Sequence, residues 1–204
     1  MILETERKNS YPTAMAPGPH PTGFGRQTPH LLNVGVAAMR VSGDPGARIA
    51  THALGSCIAL ILFDPAARVG GLLHFMLPES SLNPEKARAN PFVFADTGIP
   101  RLFRAAYRLG AQKKRIRVLM VGGARQIDRR GIFDIGRRNA DAAGRILRAN
   151  GVAISHSRVG GAYSRSVSLS IASGDASFRW LPPMAEGPAR RRRPAALPPT
   201  PQTR

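Results

Sequence analysis

The sequence contains a single cysteine, Cys57, among its 204 residues. One thiol cannot form a disulfide within the chain, which is typical of proteins from a reducing compartment. The sequence also lacks any apolar run of about eighteen residues, so hydropathy predicts no membrane-spanning helix. Residues 1–15 have no apolar core of the kind found in signal peptides. We therefore expect a cytoplasmic protein with no membrane insertion.

Acidic residues are scarce: there are 12, against 30 lysines and arginines, and the formal net charge is +18. Such a charge steers a protein toward acidic partners. The run Arg190–Arg193 has no interleaved aromatic residues, and no zinc spacing or RNA-binding motif occurs, so a basic solvated surface is favoured over nucleic-acid binding. No group of His, Cys and acidic residues has metal-ligand spacing, so we expect neither a metal nor a cofactor.

Proline and glycine mark the two ends of the chain. Residues 1–33 are rich in Pro, Gly and Thr and lack periodicity, and residues 182–204 combine proline with arginine. Both compositions are typical of disordered segments. The predicted ordered domain is residues 34–181.

The pattern within this domain predicts an α/β fold. Helical periodicity covers 96–111 and 134–151. A glycine marks the C-terminal end of each predicted helix, Gly110 in the first and Gly151 in the second. Short apolar or alternating runs predict seven strands, at 46–53, 57–63, 69–77, 115–124, 152–159, 164–173 and 176–181. Asp64-Pro65 is a turn signal between the second and third of these strands.

That turn relates Cys57 to His74, which stands seventeen residues later. A four-residue loop would pair Asp64 with Val69, placing Cys57 and His74 on one face as diagonal neighbours. A loop two residues longer would place them directly opposite each other, and a one-residue shift would put them on opposite faces. The spacing permits a Cys–His pair without requiring one.

Such a pair has a defined chemistry. The imidazole takes the thiol proton, giving a thiolate–imidazolium pair that attacks a carbonyl, and the same histidine later protonates the leaving group. Gly55 and Ser56 would leave room for a substrate, and backbone N–H groups there could stabilise an oxyanion. On pattern alone, a small buried Cys and a core His are the favoured alternatives.

A series of motifs changes that balance. The segments TxxLGSC (51–57) and GxxHxxLP (71–78) flank Asp64, and four shorter motifs follow in order: FADTGIPRL (94–102), VGGA (121–124), IGRRN (135–139) and VGG (159–161). In order and spacing these segments resemble the CheD family of chemoreceptor glutamine deamidases. The resemblance extends over about residues 33–181.

The resemblance implies a catalytic site and a reaction. Cys57 corresponds to the nucleophile, His74 to its base, and Thr51 to a residue that orients the imidazole. The implied reaction is hydrolysis of glutamine side-chain amides on chemoreceptor cytoplasmic domains, without a cofactor. The implied fold is a layered α/β sandwich with mixed or antiparallel sheets and two main helices.

Partners and alternatives follow from the same resemblance. Family members can bind CheC-type phosphatases, and we expect this chain to be a monomer. The alternative function is a non-catalytic adaptor that binds receptors or a CheC-type phosphatase. Two positions depart from the family pattern: Arg158 replaces an Asp, and Ser164 replaces the glycine before Arg165. His52 is adjacent to Thr51 but should point to the opposite face, which makes it the weaker base candidate.

Overall fold

The structure is a computed structural model that describes residues 30–125 and 134–181. Over these ranges the strands are β1 (His30–Asn33), β2 (Ala38–Ser42), β3 (Ala47–Leu54), β4 (Ile58–Asp64), β5 (Val69–Phe75), β6 (Arg117–Gly122), β7 (His156–Val159), β8 (Ser164–Ser170) and β9 (Ala176–Leu181). The α-helices are α1 (Pro84–Ala89), α2 (Ala95–Arg108) and α3 (Ile135–Ala149). Short 3-10 turns occupy Ser80–Leu82, Pro91–Val93 and Lys113–Arg115.

The strands form two mixed sheets. The four-stranded sheet has the order β1-β3-β8-β9, in which only the β1–β3 pair is parallel. The five-stranded sheet has the order β2-β5-β4-β6-β7, in which only the β6–β7 pair is parallel. The predicted α/β sandwich with mixed sheets is confirmed.

Strand β4 explains how the layers stack. Every residue of β4 is buried, which matches its continuous apolar sequence. Ile58, Leu60 and Leu62 belong to the core shared with α2 and α3. Ala59 and Ile61 belong to a second core, shared with β3 and β8 of the other sheet. The five-stranded sheet therefore lies in the middle, between the helices and the four-stranded sheet.

Most predicted elements are observed within a few residues of their expected bounds. In β8 the alternation is as predicted, since Val167 and Leu169 are buried and the serines between them are half-buried. Strand β7 is shorter than predicted, covering only the last four residues of 152–159. Of the three helices, α2 and α3 are the two main ones expected, and α1 is an additional single short helix.

Strands β1 and β2 were not predicted. Strand β1 (His30–Asn33) occupies the last four residues of the segment 1–33, whose composition predicts disorder. Each strand is short and pairs with a distant segment, β1 with β3 and β2 with β5, so local pattern carries little signal for it. The remainder of both predicted disordered ends lies outside the described residues. Among the described residues, no helix is long and apolar enough to cross a membrane.

Candidate active site

The β4–β5 hairpin has the register predicted for a four-residue loop: Asp64 pairs with Val69 and Ala59 with His74. The buried Asp64 carboxylate sets the turn by accepting hydrogen bonds from the N–H groups of Ala66 and Ala67. Burial would raise the pKa of Asp64, but an ion pair with Arg115 at 2.8 Å and these N–H groups hold that pKa at about 2. A charged, fully bonded Asp64 therefore fixes the pairing that places His74.

Cys57 lies one residue before β4 and is half-buried. Its side chain packs against the core between the two sheets, which also contains Ala59. Because Ala59 is directly opposite His74, the imidazole lies on the same side of the five-stranded sheet. The structure thus places Cys57 and His74 on one face, as the four-residue loop predicts.

Thr51 reaches this face from the other sheet. It is buried on β3, on the same strand face as the core residues Ala47 and Ile49. A β-bulge between Thr51 and Leu54 then redirects the chain toward the five-stranded sheet, and Ala53 adopts a left-handed backbone with φ 54°. His52 is exposed, as predicted for the residue pointing away from the site.

A hydrogen bond joins Thr51 and His74 across the two sheets. Thr51 Oγ1 lies 2.8 Å from His74 Nδ1 and donates its only proton to the carbonyl oxygen of Val34, at 2.7 Å. Because that proton is committed, Oγ1 must accept from Nδ1–H. The neutral imidazole therefore carries its proton on Nδ1, and Nε2 is an unprotonated acceptor.

The Nε2 atom is buried and has no hydrogen-bond partner among the described residues. Buried polar atoms are usually hydrogen-bonded, so a buried ring nitrogen without a partner is an unusual feature. His74 Nε2 lies on the side of the five-stranded sheet that also carries Cys57, and it can accept a proton. A thiol, a water molecule or a substrate N–H could each supply that proton.

The electrostatic environment favours the neutral forms of both groups. Burial lowers the pKa of His74 to about 4. Burial also raises the pKa of the Cys57 thiol, an effect that the residue's own backbone N–H group partly opposes. The thiolate–imidazolium pair expected from the sequence is therefore disfavoured at rest, because neither charge is stabilised enough to offset desolvation.

The segment Gly122–Ala124, at the end of β6, packs closely against the backbone of the turn that carries Cys57. Gly123 N–H donates to the Cys57 carbonyl at 2.8 Å, and Ala124 N–H donates to the Gly55 carbonyl at 2.7 Å. A Cβ atom on Gly122 would lie 2.2 Å from the Cys57 oxygen. The VGGA motif therefore holds the Cys57 turn by backbone packing.

Two buried side chains that the sequence analysis left without a role also bind this backbone. Asn139, in α3, donates from Nδ2 to the carbonyls of Ser56 (3.1 Å) and Met76 (2.7 Å). Arg165, in β8, donates to the Gly122 carbonyl at 2.8 Å and lies over the Trp180 ring at 4.5 Å. Asn139 ends the IGRRN motif and Arg165 follows Ser164, but their contacts are long-range, so sequence spacing could not reveal them.

Arg158 lies apart from these contacts. It is exposed on the edge strand β7 and lines a cleft of about 720 Å³ with Arg117 and His156. The residues lining this cleft do not include Thr51, Cys57 or His74. The departure from Asp to Arg therefore alters a basic surface and leaves the Cys–His–Thr arrangement unchanged. Among the described residues, no cluster of three His, Cys, Asp or Glu side chains could hold a metal ion.

The known proteins that are similar to this chain share one family name. A family model described as CheD chemotactic sensory transduction matches residues 76–179, a range that begins just after His74. A protein of Anaeromyxobacter dehalogenans named "Probable chemoreceptor glutamine deamidase CheD 2" is 53% identical over 144 residues, covering 71% of this chain and 91% of the relative. A protein of Solibacter usitatus named "Probable chemoreceptor glutamine deamidase CheD" is 47% identical over 141 residues, covering 69% and 83%.

Proposed function

Because this chain belongs to the CheD family, we propose that it is a cysteine-dependent deamidase that converts glutamine side chains of chemoreceptors to glutamate. Its relatives bear the name of that activity. The observation that carries the proposal is the Thr51–His74 hydrogen bond, because it leaves Nε2 as a buried, unpartnered base on the face of Cys57. The substrate is the cytoplasmic domain of a chemoreceptor, so the protein acts in the cytoplasm.

The first half of the reaction forms a thioester. His74 Nε2 accepts the Cys57 thiol proton as Sγ attacks the amide carbon of the glutamine side chain. The amide oxygen becomes an oxyanion, for which the backbone N–H of Cys57, on the nucleophile itself, is a candidate donor. The imidazolium then protonates the leaving nitrogen, the C–N bond breaks, and ammonia departs.

The second half returns the enzyme to its starting state. His74 Nε2 takes a proton from water, and the resulting hydroxide attacks the thioester carbon. The C–S bond breaks, and the imidazolium returns its proton to the Cys57 sulfur. The net change is one amide and one water converted to one carboxylic acid and one ammonia. Throughout, Thr51 holds the imidazole orientation by accepting from Nδ1–H, the role of a third residue in a triad.

Replacement of the nucleophile tests the proposal. Purified wild-type protein, Cys57→Ala and His74→Ala are incubated with a chemoreceptor cytoplasmic fragment, and glutamine-to-glutamate conversion is mapped by peptide mass spectrometry alongside ammonia release. We expect both variants to lose conversion by at least about 1000-fold, because each removes a group that bonds to or exchanges protons with the substrate. His52→Ala is the matched control, since this exposed histidine is close in sequence to the site.

The outcomes separate the two functional classes. Full activity of Cys57→Ala would refute the cysteine mechanism. A wild-type protein that binds the receptor fragment, or a CheC-type phosphatase, without converting any glutamine would instead favour the non-catalytic adaptor. The proposal is supported if wild type and His52→Ala convert glutamine to glutamate while Cys57→Ala and His74→Ala do not.

A further inference from the structure

Asn139 is fully buried in the first turns of α3, and its amide contacts the candidate active site from the helix side. Both Nδ2 protons are used, one toward the Ser56 carbonyl and one toward the Met76 carbonyl. Carbonyl oxygens only accept hydrogen bonds, so the amide can be oriented in only one way, with nitrogen toward these two groups. The Oδ1 atom is buried without a partner among the described residues.

The Ser56 carbonyl belongs to the same peptide group as the Cys57 N–H. No peptide bond in the described chain is cis, so the carbonyl and the N–H of this group point in opposite directions. With the carbonyl held by Asn139, the N–H of the same peptide is directed the other way, on the residue that carries the thiol. A hydrogen bond accepted by the carbonyl also polarises the peptide and strengthens its N–H as a donor.

The second bond of Asn139 ties this peptide to the other half of the site. Met76 is two residues beyond His74, just past the end of β5. The start of helix α3 packs closely against the backbone of Gly123, which follows β6. A Cβ atom on Gly136 would clash with the Gly123 oxygen. Asn139, one turn along from Gly136, is therefore supported by rigid packing while it bridges the segments that carry Cys57 and His74.

The cost of this arrangement points to a role beyond stability. Leaving the Oδ1 acceptor buried and unbonded carries a desolvation cost, although an Asn that donates to two carbonyls recovers part of that cost. The Ser56 and Met76 carbonyls terminate a hairpin, where a solvent-facing end could have satisfied them with water. The amide of Asn139 instead binds both carbonyls from the helix side.

We propose that Asn139 is a positioning residue for the oxyanion hole: it orients and polarises the Ser56–Cys57 peptide so that the Cys57 N–H stabilises the tetrahedral intermediate. This inference rests on the proposed function, because it takes Cys57 as the nucleophile. Asn139 itself does not contact the substrate. Its two side-chain hydrogen bonds go to backbone carbonyls and to neither the Cys57 sulfur nor the His74 imidazole.

Two reactions of the same thiol separate this role from a general structural one. Deamidation passes through an oxyanion, whereas alkylation by iodoacetamide is a displacement at a saturated carbon in which no oxyanion forms at the Cys57 N–H. Cys57 is the only cysteine, so alkylation of the full chain reports on this thiol alone. For Asn139→Ala and Asn139→Ser we expect kcat/KM for receptor deamidation to fall about 10- to 100-fold, less than the loss of a direct oxyanion donor. The alkylation rate constant should change less than about twofold.

Asn150→Ala is the matched control, because Asn150 ends the same helix, is exposed, and its side-chain amide donates to the Ile146 carbonyl within that helix. All proteins are assayed well below their melting temperatures. Asn139→Ser provides the folded variant if Asn139→Ala does not fold, because its hydroxyl is small and can donate one hydrogen bond. Deamidation by Asn139→Ser at the wild-type rate would overturn the inference, and so would an equal loss of deamidation and alkylation.

A third readout is independent of activity. The amide ¹⁵N resonance of Cys57 responds to the hydrogen bond on the preceding carbonyl, so it should shift in Asn139→Ser and not in Asn150→Ala. If the wild-type protein deamidates no receptor, the proposed function fails, and this resonance still decides whether Asn139 orients the peptide. An unchanged Cys57 resonance overturns the inference in that case as well.

Discussion

The hydroxyl of Thr51 determines which nitrogen of His74 can act as a base. Its proton is committed to the Val34 carbonyl, so it can only accept from Nδ1–H. Thr51→Val keeps the β-branched shape but leaves the Nδ1–H and the Val34 carbonyl without this partner. We expect kcat/KM to fall about 10- to 100-fold, because the imidazole can then rotate or change tautomer. The free energy of unfolding should fall by about 1–3 kcal/mol.

Thr97→Val is a matched control for this substitution. Thr97 also donates its hydroxyl proton to a backbone carbonyl, that of Pro91, at 2.6 Å, but in α2. The control should lose stability and keep kcat/KM, as measured by chemical denaturation and by the receptor assay. If the two variants lost activity equally, the Thr51 hydroxyl would have no specific effect on the base.

The pKa of His74 predicts the acid limb of the pH–rate profile. Burial lowers this pKa to about 4, so Nε2 stays unprotonated well below the ordinary histidine range. We therefore expect kcat/KM to stay level as pH falls from 7 and to drop only near pH 4, measured with short incubations that precede unfolding. The raised pKa of Cys57 should likewise extend the level region on the alkaline side. A drop centred near pH 6.5 would show that the imidazole titrates as an exposed histidine does.

The motif resemblance named Thr51, Cys57 and His74 as the proposed site. A four-residue loop after Asp64 was one of the registers considered, and it is the one that the structure has. A thiolate–imidazolium pair was expected because spacing gives no measure of burial. Asn139 and Arg165 were missed as contributors because each acts on backbone groups that are distant in sequence.

Among the secondary-structure elements, the end of β6 is the most sensitive to the size of one residue. Gly122 has φ 120°, and a Cβ there would clash with the Cys57 carbonyl. Gly122→Ala should therefore displace the nucleophile turn, lowering kcat/KM by at least about 100-fold and the free energy of unfolding by roughly 3 kcal/mol. Activity and denaturation are measured on the same preparation.

Gly110→Ala separates backbone strain from the clash. Gly110 also has a positive φ, of 93°, but a Cβ there would meet no atom within 4 Å. This control should lose only about 1 kcal/mol and keep its activity. Comparable losses of activity in both variants would mean that strain alone, and not contact with Cys57, accounts for the effect.

Elements formed by local pattern were predictable, whereas those formed by distant pairing were not. Strand β4 was evident from its apolar run, and α2 and α3 from their periodicity. Strands β1 and β2 are short and half-exposed, so their existence depends on β3 and β5, which lie far along the chain. The sandwich itself came from the motif resemblance, since periodicity alone does not specify how two sheets face each other.

For the molecule as a whole, the buried histidine predicts a loss of stability in mild acid. The folded-state pKa of His74 is about 4, below its ordinary value of 6.5, so the unfolded chain takes up the proton first. The His74 contribution is full above pH 6.5 and is lost as pH falls toward 4, by up to about 3 kcal/mol. Urea denaturation across this range measures the slope.

His74→Gln should remove that slope between pH 6.5 and 4. Asp64 acts in a lower window, because its pKa falls from 3.8 to about 2 on folding, and its contribution is lost only as pH drops through that range. A wild-type slope that persists in His74→Gln would assign the acid sensitivity to another group.

The Thr51–His74 hydrogen bond also makes the reaction centre a sensor of how the two sheets are aligned. Thr51 belongs to the four-stranded sheet and His74 to the five-stranded sheet. A relative slide of about 1 Å would stretch their 2.8 Å contact beyond hydrogen-bonding range. A macromolecule that binds only the four-stranded sheet could therefore change the orientation of the His74 imidazole without contacting Cys57. The activity would then depend on the relative position of the two sheets.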